Sequence, residues 1–160
     1  MSACFKRLQL QKPMIKKLFA PGNDSALTSL GLLALRLWLG LAMLFNHGLD
    51  KLAHFDKYTA KFPDPLGIGV TPGLALVTFA ETFGAMMLAF GLLTRFAALT
   101  LVIDLSVAFV LVHKSVSGAG ELAFIYTAGY VTLLIAGAGR FSADKLMFGK
   151  SAKSGWGQSK

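Results

Sequence analysis

Long apolar runs alternate with short polar breaks along this chain, at about 29 to 49, 72 to 93, 96 to 113 and 121 to 139. Each run approaches the roughly 20 residues that an α-helix needs to cross the hydrocarbon core of a bilayer. The breaks carry charge or turn-forming residues: DKLAHFDKYTAKFPDPLGIGVTPG after the first run, LTR after the second and HKSVSGAG after the third. The pattern predicts an all-α integral membrane protein, an antiparallel bundle of four transmembrane helices. A soluble helical bundle competes with it, but the exposed faces of such a bundle carry charge, and residues 122 to 139 hold none.

Composition strengthens the membrane reading. The chain is 54% hydrophobic and only 15% charged, against about 25% charged in ordinary globular proteins. Its charges gather at the ends and in two loops. Lys6, Arg7, Lys12, Lys16 and Lys17 precede the first run, and Arg140, Lys145, Lys150, Lys153 and Lys160 follow the last. The first and third loops hold Lys51, Lys57, Lys61 and Lys114. This bias predicts that both termini are cytoplasmic. The expected organisation is a basic N-terminal segment at 1 to 28, a membrane domain at 29 to 147 and a basic flexible tail at 148 to 160. The net charge of +8 then faces anionic lipid headgroups, and nucleic acid is not needed to explain it.

The N-terminal stretch CFKRLQLQKPMIKKLF suits an amphipathic segment on the membrane surface, interrupted by Pro13. It lacks the apolar core and cleavage site of a secretory signal, so the first span is expected to be a retained anchor. The single cysteine, Cys4, excludes an intramolecular disulfide.

Candidate chemistry lies in the few polar residues of the spans. An arginine near a helix centre costs about 2.5 to 3.5 kcal/mol on insertion, while each leucine returns about 0.5 kcal/mol. Nine leucines between residues 30 and 49 therefore carry Arg36 into the membrane. Once there it needs an acceptor. Glu81 and Asp104 fall near mid-span, which predicts an ion pair of Arg36 with Glu81, with Asp104, or with both. Such a pair either fixes helix register or belongs to a proton or ligand pathway. Arg36, Gly40, Met43 and His47 share one helical face, and Glu81, Gly84, Leu88 and Gly91 form a comparable stripe whose glycines permit close approach.

At the far end of the spans, His47 and Lys51 of the first helix reach the level of His113 and Lys114 of the third and Glu121 of the fourth. A pocket there for a quinone headgroup or a small anion competes with plain snorkelling to water. Haem or metal ligation by the two histidines lacks a paired spacing or a third ligand, so no metal is assigned. The stretch FPDPLGIGVTPG, with three prolines and three glycines, is read as a bent connector or a lid over this cluster. Tyr126 and Tyr130, one turn apart, are read as packing residues or interior hydrogen-bonders. No phosphate loop, nucleophile elbow or zinc signature is present.

In order along the chain, RLWLGLAMLFNHGLDKL, FPDPLGIG, AETFGAMMLAFGLLTR, VH and ELAFIYTAGYVTLLIAGAGRFSADKL resemble the DoxX family of small four-helix membrane proteins, over about residues 33 to 147. The resemblance implies residence in the cytoplasmic (inner) membrane of a bacterium or archaeon. It also implies a role as small subunit or accessory factor of a membrane redox complex, respiratory or sulfur-linked and associated with quinone. Arg36, His47, Lys51, Glu81 and Glu121 match recurring polar positions of that family, whereas Asp104 does not. The expected ligand-binding set is Arg36, His47, Lys51, Glu81, His113 and Glu121. Expected partners are the lipid bilayer, redox-complex subunits and further copies of the chain. The alternatives are a non-catalytic scaffold or assembly factor and a small-solute transporter.

Overall fold

The computed structural model describes residues 26–114 and 117–149. Most of the N-terminal segment, including Cys4, and the tail from Lys150 onward lie outside the described residues, as does the side chain of His113.

Four helices long and apolar enough to span a membrane make up the fold: α1 (Ala26–Ala53), α3 (Val70–Phe90), α4 (Thr94–Val112) and α5 (Ala119–Ala136). Two short helices accompany them, α2 (Phe55–Thr59) in the first loop and α6 (Ala143–Phe148) after the last span. The chain is thus a multi-pass membrane protein of the all-α, four-helix kind. Large apolar side chains such as Trp38, Phe45, Phe79 and Phe96 point outward. In water such a surface would aggregate, whereas in lipid it costs nothing.

The helices pair as α1 on α3 and α4 on α5, and α3 and α4 join the two pairs. Leu88, Ala98, Leu101, Tyr130 and Leu133 are sealed in the centre. Tyr130 resolves its buried hydroxyl by donating to the Leu39 carbonyl at 3.3 Å, so this tyrosine both packs and ties α5 to α1.

Three of the spans carry a wider, π-type turn: Leu44–Gly48 in α1, Ala80–Gly84 in α3, and Ala108–His113, which runs one residue past the end of α4. The Leu49 N–H reaches back to the Leu44 carbonyl, five residues earlier. Such turns concentrate at functional sites, and the first two face each other. A Cβ on Gly48 would stand 2.5 Å from the Glu81 carbonyl oxygen, so only glycine lets α1 come this close.

That contact fixes the register of α1 against α3. Gly48 lies beside Glu81, and Gly40 beside Ala85 and Ala89. Arg36 is twelve residues before Gly48, about 18 Å further along the axis at 1.5 Å per residue. It therefore meets the opposite end of α3. The expected pairing of Arg36 with Glu81 or Asp104 is replaced by a different one. Similar depths in each sequence window do not give similar depths in the bundle, because α1 continues as helix through Ala53 and slides its arginine past α3.

At that end the chain builds a latch. Gly91 closes α3 in a left-handed conformation (φ 70°), with Gly91 N–H bonding the Leu88 carbonyl at 3.0 Å and Leu92 N–H the Met87 carbonyl at 2.9 Å. This is the hydrogen-bond pair of a glycine C-cap. Arg36, fully buried, donates through Nη2 to the Phe141 carbonyl at 2.5 Å. Asp144 completes the latch. Its carboxylate accepts from the backbone N–H groups of Leu93 at 2.6 Å and Thr94 at 2.9 Å, capping the positive end of α4. Its own N–H bonds the Gly91 carbonyl at 2.9 Å. Asp144 also faces Arg36 electrostatically. Ser142 starts α6 by accepting from Lys145 N–H at 3.2 Å. Replacing Asp144 by alanine is expected to cost about 1 to 2 kcal/mol, the worth of a good N-cap. Thermal unfolding in detergent measures this; an unchanged midpoint contradicts the capping role.

Candidate functional site

The loop end of the bundle, opposite the latch, holds a cavity of about 610 Å³. Met43, His47 and Lys51 of α1, Glu81 of α3, Asp104 and Leu105 of α4 and Tyr126 of α5 contribute to its lining. Its walls are otherwise largely apolar. The segment from Phe62 to Ile68 lies over it, so the proline-rich stretch is part of the cavity rather than a connector outside it.

The facing π turns put the key groups together. Lys51 Nζ lies 2.5 Å from Glu81 Oε2, with both side chains mostly buried. Here the cation that meets Glu81 is Lys51, supplied one helical turn beyond Gly48. A mostly buried charged pair is a strong contact whose members depend on each other. The His47 ring stands edge-on to Tyr126, centroids 6.1 Å apart, and Tyr126 stacks on Tyr130 at 6.1 Å. Asp104 lies within electrostatic reach of Glu81 and Lys51. Its Oδ2 is sealed from water and has no hydrogen-bond partner among the described residues.

The cover is anchored locally. Tyr58 donates a hydrogen bond to Asp50 Oδ2, and His54 Nδ1 lies 3.0 Å from Asp50 Oδ1. The contact with the Asp50 carboxylate raises the Tyr58 phenol above its ordinary range, with burial adding to the effect. Asp64 folds the proline-rich turn by accepting from the backbone N–H groups of Ile68 at 3.1 Å and Gly69 at 2.9 Å.

Of the expected ligand-binding residues, the structure brings His47, Lys51 and Glu81 into this cavity and adds Asp104. Arg36 belongs to the latch. Glu121 is exposed in the first turn of α5 and does not line the cavity. The expected ion-pair set of Arg36, Glu81 and Asp104 is thus divided between two ends of the bundle. Among the described residues no three His, Cys, Asp or Glu side chains cluster to hold a metal ion.

Residues 31–114, more than half of the chain, match the DoxX family. This chain belongs to the DoxX family. It is also similar to two proteins of Haemophilus influenzae, both described as uncharacterized. One is 33% identical over 129 residues, covering 75% of this chain and 85% of the relative. The other is 29% identical over 116 residues, covering 68% and 84%. No solved structure matches. The DoxX match spans the facing π turns, the loop cover, Asp104 and Arg36 of the latch, while Tyr126 and Asp144 lie beyond it.

Glu81→Gln in this DoxX protein removes the counter-charge of a mostly buried lysine and is expected to destabilise the fold by about 3 kcal/mol. Glu121→Gln, at an exposed position, is expected to stay within about 0.5 kcal/mol. Unfolding of both variants in the same detergent checks the contrast; equal effects would contradict this placement of the two glutamates.

Proposed function

We propose that this DoxX protein is a small subunit or accessory factor of a quinone-associated redox complex in the cytoplasmic membrane, with the cavity as its quinone site. The observation that carries the reading is a cavity of small-molecule size whose walls are apolar and whose polar groups converge at one place. The donor set suits a neutral ring better than a free anion. Lys51 is engaged by Glu81 at 2.5 Å, while the other lining cations, Lys57 and Lys61, sit at the exposed rim.

When bound, a quinone supplies two-electron chemistry coupled to proton transfer. The chain's part is to bind and orient it. His47 offers a ring nitrogen to an oxygen of the headgroup, Tyr126 holds that imidazole edge-on, and the Phe62 to Ile68 cover limits water. Electrons in this reading come from partner subunits. The lysine and arginine bias supports both termini facing the cytoplasm, with the basic segments at 1 to 28 and 148 to 160 against anionic lipid.

Protein purified gently from its native membrane is expected to carry about one quinone per chain, measured by extraction and mass analysis. His47→Ala is expected to weaken binding of a short-chain quinone about five- to tenfold, the worth of one hydrogen bond, while leaving insertion intact. Quinone-free protein, or full affinity in the variant, contradicts the proposal.

A further inference from the structure

The two carboxyl groups of the cavity are not equivalent. Glu81 is matched: it touches Lys51 at 2.5 Å. Asp104 has no ion pair among the described residues, and its Oδ2 is both sealed from water and without a hydrogen-bond partner. Its titratable neighbours are Glu81 of α3, Lys51 of α1, and Tyr130 of α5; His47 and Tyr126 share the same cavity. His47 makes no hydrogen bond to either carboxyl among those described, and its ring contact is with Tyr126.

Charge counting in a medium of low dielectric constant then assigns the groups. One lysine balances one carboxylate, and a second bare negative charge within the span would cost several kcal/mol. The direct contact gives that lysine to Glu81. The neutral member of the pair of acids is left to be Asp104, which faces apolar surroundings and the cavity at once.

We propose that Asp104 is the ligand-facing carboxylic acid of the cavity, holding a proton in the resting protein and offering it as a hydrogen bond to a carbonyl or similar acceptor on an apolar guest. The Lys51–Glu81 pair, by contrast, is the fixed wall of the site. The ligand class this implies is a neutral, membrane-soluble molecule whose polar acceptor reaches Asp104 while its apolar part lies along the walls. A quinone carbonyl meets that description, and to that extent the inference rests on the proposed function. The assignment of Asp104 itself does not.

An apolar carbodiimide separates the two claims. Such a reagent adds the O–H of a protonated carboxyl across its C=N bond, and the adduct rearranges to a stable acylurea on that side chain. Wild-type protein in detergent is treated with dicyclohexylcarbodiimide and mapped by peptide mass analysis, with Asp104→Asn as the site control and short-chain ubiquinone as protectant. Modification of Asp104 about tenfold or more faster than Glu81 is expected, since the reagent needs a carboxyl O–H and Glu81 is held against the Lys51 ammonium. Slowing by the quinone supports both the assignment and the ligand class. Modification of Asp104 that quinone leaves unchanged keeps the assignment and overturns the quinone reading. Equal or preferential modification of Glu81, no modification of Asp104, or the same labelled peptide in Asp104→Asn overturns the assignment, whatever quinone does. The decisive rates are read on the wild-type chain, so no variant has to fold for the test to count.

Discussion

The close approach of α1 and α3 at Gly48 and Glu81 governs where the other polar groups of these helices fall. With no side chain on Gly48, the Glu81 backbone comes within a distance that any other residue would block. This contact sets the register of both helices. One turn beyond it Lys51 falls on the Glu81 carboxylate, and twelve residues before it Arg36 falls at the far end of α3. Two polar assemblies result. The latch at Arg36, Gly91 and Asp144 ties the last short helix to the start of α4. The cavity at Lys51, Glu81 and Asp104 opens beneath the proline-rich cover.

The two assemblies use charge differently. In the latch, polar groups are spent on backbone: Arg36 on the Phe141 carbonyl, and Asp144 on the N–H groups of Leu93 and Thr94. The Asp144 contacts satisfy N–H groups at the start of α4 that would otherwise be orphaned inside the protein, and the Arg36 contact satisfies a carbonyl of the connection between α5 and α6. In the cavity, side chain meets side chain, and one carboxyl is left over. Arg36 Nε and Nη1 are likewise buried without a hydrogen-bond partner among the described residues, but Arg36 does not line the cavity, whereas Asp104 does and can meet a ligand there. That difference is why the functional reading rests on the loop end and not on the arginine.

The spans were legible in the sequence because apolar length alone identifies them, and the observed ends differ by a few residues for local reasons. His47 to Lys51 continue α1 through a π turn, and Gly91 stops α3 early by closing it in a left-handed turn. His47, Lys51 and Glu81 were legible as site residues because charge is rare in such segments. Their pairing was not, since a helical wheel gives the face of each residue and not the sliding of one helix along another. Gly48 was the clue to that register, but glycine has many uses. Asp144 went unnoticed among basic residues although it is the only acid after Glu121. Asp104 was visible as a buried charge, but only the assembled cavity shows that it lacks the lysine that Glu81 has taken.

Glu81 pairs with Lys51 and not with Arg36, and an exchange of charges probes that pairing in the folded protein. Lys51→Glu combined with Glu81→Lys, and Arg36→Glu combined with Glu81→Arg, are compared with their single reversals for the yield of folded protein extracted from membranes. The account predicts that the Lys51 and Glu81 exchange recovers folded protein lost in its single variants, while the Arg36 and Glu81 exchange recovers none. Recovery by the Arg36 exchange, with none from Lys51, would contradict it.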